Sequence, residues 1–64
     1  MKTFGELTVS DFGKKMRFIG PDFKFEGILL CVEGEMLPTK HRWAHFYGHF
    51  DKYIPIDTLV EVLQ

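Results

Sequence analysis

The sequence is short of most devices that hold a very small domain together or announce a chemistry. Its one cysteine, Cys31, cannot form an intramolecular disulfide, and no Cys/His grouping has structural-zinc spacing. Ser10 is its only serine, and a helix-start role accounts for it. Charge of one sign is also lacking: eight Lys and Arg stand against nine Asp and Glu, for a net charge of −1. That balance argues against binding driven by bulk charge, since nonspecific nucleic-acid association needs clustered cations on several phosphates. No apolar run approaches the roughly 18 residues that cross a membrane. Met1 to Gly13 lacks the apolar core of a secretory signal, and a lone cysteine suits a reducing compartment, so the expected location is the cytoplasm.

Aromatic residues are abundant. They make up 16% of the chain, seven of them Phe, so a dense aromatic core is available to a single domain spanning residues 1–64. A chain of this size buries only about 60% of its unfolded surface, which leaves an aromatic core or a partner as its supports. Phe23 to Glu33 reads as the central strand. Phe23 and Phe25 alternate with Lys24 and Glu26, and after Gly27 the run Ile28 to Val32 is apolar throughout. Gly27 is the expected site of a bend, with the second half of the strand covered on both faces.

Around that strand the chain punctuates itself. Thr8 to Asp11 has capping-box spacing and Gly13 a helix-stop position, predicting one helical turn over Val9 to Phe12. Met16 and Phe18 alternate with Lys15 and Arg17, and Gly20-Pro21-Asp22 is a tight turn, so Lys15 to Ile19 and the central strand form a hairpin. Glu33 to Lys40 reads as a loop broken by Gly34 and Pro38. His41 to Phe50 fits either of two patterns. As a strand it places His41, Trp43, His45, Tyr47 and His49 on one face, with Ala44, Phe46 and Phe50 on the other. As a helix it gives a stripe of Trp43, Phe46, Tyr47 and Phe50. Aromatic richness and Gly48 favour the strand. Asp51-Lys52 then reads as a turn, Tyr53 to Ile56 as a strand limited by Pro55 to an edge or an end, and Val60 to Leu63 as a last strand with Val60 and Val62 inward.

Five short strands ending in Tyr53-Ile54-Pro55-Ile56-Asp57-Thr58-Leu59-Val60 resemble the small SH3-like barrel, where a strand with Pro leads through a 3₁₀ turn into a final Val-bearing strand. The phrase Val9-Ser10-Asp11-Phe12-Gly13-Lys14-Lys15, with the closing Leu59-Val60-Glu61-Val62-Leu63, is also similar to short uncharacterised proteins of actinobacterial phages. The resemblance implies an all-β, five-stranded SH3-like barrel with one short helical turn, and a phage origin. It implies no activity, and the aromatic opening with which SH3 domains grip proline-rich peptides is absent.

For chemistry, the three histidines are spaced by four, but strand residues four apart are about 13 Å from one another and cannot share an ion. Arg42 stands where the zincin motif has its glutamate, so no metal and no cofactor are expected. Asp11-Phe12-Gly13 matches the kinase magnesium triplet by letters alone. Cys31, between Leu30 and Val32, reads as a small buried hydrophobe. Nothing assembles a nucleophile, a base and an oxyanion donor, so no enzyme is expected. The expected binding residues are Trp43, Tyr47, His41, His45, His49 and Arg42, flanked by Lys40 and Lys52. They suit a non-catalytic protein-interaction module, docking on another protein or on a second copy. A nucleic-acid-binding small barrel and a structural component of a larger particle are the alternatives.

Overall fold

The computed structural model describes residues 1–35 and 39–64. Pro38, read from the sequence as a loop breaker, lies outside the described residues. Among the described residues six strands follow one another: β1 (Lys2–Thr3), β2 (Lys15–Ile19), β3 (Lys24–Glu33), β4 (His41–Phe46), β5 (Phe50–Pro55) and β6 (Leu59–Val62). They form one sheet in the order β1-β6-β2-β3-β4-β5, with every pairing antiparallel. The fold is therefore all-β, but the sheet has six strands and is not closed. Among the described residues no helix is long and apolar enough to cross a membrane.

The β2–β3 hairpin forms as the alternation predicts, with Phe18 opposite Phe25 and the Gly20 N–H donating 2.9 Å to the Phe23 carbonyl across the turn. Met16 and Phe18 point inward and are fully buried. Phe18 is the hub of the core. It stacks on Phe25 at 5.1 Å between centroids and meets Phe4 and Phe46 edge-on at 6.1 and 5.3 Å. Leu29, Ala44, Ile54 and Val60 complete the buried apolar set among the described residues.

β3 is the long shared strand. Lys24 to Ile28 pairs with β2, and Leu29 to Glu33 pairs with β4. The irregularity lies not at Gly27 but between Leu29 and Cys31, where Leu30 is an extra residue opposite the Phe46–His45 step of β4. Gly27 is required for a different reason. A Cβ there would stand 2.9 Å from Phe46 Cδ1 and 3.3 Å from Phe50 Cζ. The expected double-sided burial of Ile28 to Val32 is also corrected. The bulge turns Leu30 and Cys31 to solvent, and Leu29 alone of the five is fully buried.

The N-terminal segment carries two 3₁₀ turns, Phe4–Glu6 and Val9–Asp11, where one helical turn was expected. Each is closed by an acid reaching back to a threonine N–H, Glu6 to Thr3 at 2.8 Å and Asp11 to Thr8 at 2.9 Å. Gly13 stops the second at φ +87°, a conformation that favours glycine. Backbone bonds from Phe4 to Thr58 and from Gly5 to Ile56, both 2.8 Å, seat this segment beside the approach to β6. In β6 only Val60 is buried, since Val62, expected inward, is 39% exposed near the open end of the strand.

Candidate functional site

β4 ends at Phe46, and Tyr47 to His49 form a turn into β5, so the chain reverses where the sequence suggested one unbroken strand to Phe50. The Asp51-Lys52 pair, expected as that turn, lies inside β5. The hairpin is symmetrical about Gly48, which adopts φ +101°. Its register sets His41 against Pro55, Trp43 against Tyr53 and His45 against Asp51. Alternation then divides the proposed binding residues. His41, Trp43 and His45 share the outer face of β4, while Ala44 and Phe46 face the core.

Tyr47 and His49 do not join that face. They sit in the turn and, with Leu30, Phe46 and Gly48, line a shallow depression at one end of the sheet. His49 has φ +62°, a left-handed conformation in which histidine is tolerated. Phe50, expected inward, is 38% exposed and stacks on Phe46 at 4.9 Å. Arg42 belongs to the opposite alternation and donates through Nε to the Gly34 carbonyl at 2.8 Å. Lys52 also points away from the outer face and lies 5.1 Å above the Phe25 ring. Two of the cations expected beside the aromatic face, Arg42 and Lys52, are therefore directed elsewhere.

The outer face of β3–β4–β5 has two adjoining parts. The first is an aromatic row. Tyr53 stacks on His41 at 5.0 Å and leans on Trp43 at 5.1 Å, with Trp43 47% and Tyr53 46% exposed. The His41 ring is fixed by its Nδ1, 2.9 Å from the Thr39 carbonyl. The second is a polar group around His45. Its Nδ1 is 2.8 Å from Asp51 Oδ1, and Glu33 Oε1 lies 2.8 Å from its Nε2. The bond to Asp51 raises the His45 imidazole above its ordinary range. Burial opposes that rise, and the charges of Asp51 and Glu33 add to it. Cys31, directly across from His45 in the ladder, is exposed as a free thiol rather than buried.

Across β2 the same outer surface changes character. Arg17 binds Glu26 at 2.9 Å on β3 and Glu61 at 2.8 Å on β6, a cross-strand row of alternating charge. Such pairs face water and add little stability or specificity. The aromatic and His45 half is thus the distinctive surface. Tyr53, Asp51 and Glu33 were not picked out from the sequence as binding residues, and Cys31 was expected to be buried. Recognising Tyr47-Gly48-His49 as the hairpin turn sets the β4–β5 register by counting outward from Gly48, which pairs Tyr53 with Trp43 and Asp51 with His45. Cys31 and Glu33 needed the bulge at Leu30, which no local signal marks. No family model, curated protein or solved structure matches this chain.

Proposed function

We propose that the protein is a non-catalytic protein-interaction module that docks through the outer face of β3–β4–β5, and that a second copy of the chain occupies that face. The observation that carries this reading is the row His41, Tyr53 and Trp43, held in place by stacking while two of its rings remain about half exposed. Rigid aromatics with polar tips lose little conformational freedom on binding and are favoured at interface centres. The row borders β5, an edge strand of the sheet, whose open backbone groups can extend pairing into another copy. Nucleic acid suits the face less well, because Glu33 and Asp51 flank it while Arg42 and Lys52 point away.

An SH3-like small barrel is the fold family that goes with this reading. Its support is the long β3 shared between the two halves of the sheet, and the Pro55-bearing strand that passes through a tight turn, Thr58 N–H to Pro55 carbonyl at 3.1 Å, into the Val60 strand. The phage origin rests on the short motifs quoted above, and a cytoplasmic location accords with an exposed free thiol. Sedimentation velocity from low to high micromolar concentration tests the docking reading. The wild-type chain is expected to shift from monomer to dimer, and Trp43→Ala with Tyr53→Ala to stay monomeric. A wild type that remains monomeric throughout the range overturns it.

A further inference from the structure

Three donors of different chemistry converge beside the aromatic row. Cys31 and Glu33 stand two residues apart on β3, and His45 faces them from β4. Cys31 Sγ, a Glu33 carboxylate oxygen and a ring nitrogen of His45 all lie within 4.8 Å of one another. His45 Nε2 is sealed from solvent and has no well-formed hydrogen bond, although Glu33 Oε1 is 2.8 Å away. With the imidazole proton on Nδ1, where Asp51 Oδ1 accepts it at 2.8 Å, Nε2 keeps its lone pair free for a ligand.

We propose that Cys31 Sγ, His45 Nε2 and the Glu33 carboxylate bind one divalent ion of the zinc class per chain, with Asp51 orienting the imidazole from behind. A thiolate, an imidazole and a carboxylate form a borderline-soft donor set, which suits zinc or cobalt(II) and not magnesium or calcium. Donors around a tetrahedral zinc stand about 3.3 to 3.6 Å apart, so rotation of the two exposed side chains, Cys31 and Glu33, closes the site without moving the strands. A carboxylate on the far nitrogen of the ligating histidine is the usual outer partner of such a site, and Asp51 holds that position. Binding exchanges the thiol proton for the metal. Three donors leave one coordination position open to water or to a group from a docked partner.

Titration of the reduced chain with cobalt(II), followed in the near ultraviolet and the visible, tests the site. One cobalt per chain is expected, with thiolate charge-transfer absorption and the intense visible bands of tetrahedral cobalt, and zinc should displace it. Cys31→Ser should abolish the charge-transfer absorption, and Glu33→Gln should weaken affinity at least tenfold. Asp51→Asn should weaken it about 10- to 100-fold while leaving the band positions unchanged, the signature of a positioning residue. Cys31, Glu33 and Asp51 are all exposed, so these variants are expected to keep the wild-type circular dichroism. Absence of the tetrahedral bands, their persistence in Cys31→Ser, or half a cobalt per chain with dimer formation would each overturn the proposal. The titration is made on dilute monomer, so its failure leaves the docking reading standing, and failure of docking leaves the metal site standing.

Discussion

Gly27 is kept side-chain-free by a ring on another strand. Phe46, whose Cδ1 lies 2.9 Å from where a Cβ would be, packs against Phe18, Phe25 and Phe50 and would have to shift. Gly27→Val is therefore expected to cost on the order of 2 kcal/mol or more by overpacking, read from the urea midpoint. An unchanged midpoint would show that the core yields there. Phe46 and Trp43 make a second pair of expectations. They lie on the same strand but on opposite faces, one 2% and the other 47% exposed. Phe46→Ala should lose about 3 kcal/mol or more, because it empties the centre of the aromatic core. Trp43→Ala should cost much less in stability while weakening self-association. Equal losses in the two variants would place Trp43 in the core after all.

Among the elements, the N-terminal segment is held by the buried Phe4 and also by an ion pair. Asp11 is buried, accepts the Thr8 N–H and pairs with Lys2 at 3.2 Å. The Thr8 hydrogen bond chiefly, with help from Lys2, holds its carboxyl below the ordinary aspartate range against the opposing effect of burial. A depressed carboxyl contributes stability that is present in full above its unfolded-state value, near pH 4, and is lost as the pH falls through the folded value. Melting temperatures measured from pH 7 down to pH 2 should thus drop less steeply for Asp11→Asn than for the wild type, and the variant should start lower at pH 7. Parallel curves would mean that Asp11 does not link this segment to acid stability. The bulged β3 acts at the same scale. By inserting Leu30 it turns Cys31 and Glu33 outward toward His45 while Leu29 remains in the core.

For the whole molecule, an unclosed sheet implies uneven protection. β2 is paired on both sides, with β3 and β6, and carries the Phe18 hub, whereas β1 and β5 are the two edges. Native-state hydrogen exchange on dilute monomer should find the slowest amides in β2, and markedly faster exchange in Lys2–Thr3 and on the open side of Phe50–Pro55. Raising the concentration should slow β5 selectively if its edge and the neighbouring aromatic row form the interface between copies. Uniform slowing across all strands would instead point to a contact elsewhere.

The sequence alone determined the all-β class, the β2–β3 hairpin, the stop at Gly13 and the inward Met16, Phe18, Ala44 and Phe46. Each of these follows from local alternation or from a turn residue, and both physical signals act within a few residues. It also placed His41, Trp43 and His45 on one face of a strand. What it left open depends on contacts between distant segments. The reversal at Gly48 was hidden because an aromatic-rich run satisfies a strand, a helix or a hairpin arm equally well. The bulge at Leu30 forms because β3 changes partners from β2 to β4, and neither partner is visible from within Phe23 to Glu33. Those two tertiary choices removed Tyr47 and His49 from the expected face and brought Tyr53, Asp51, Cys31 and Glu33 onto it. The site is a cross-strand object, set by register, and register is fixed only when the strands meet around the Phe18 core.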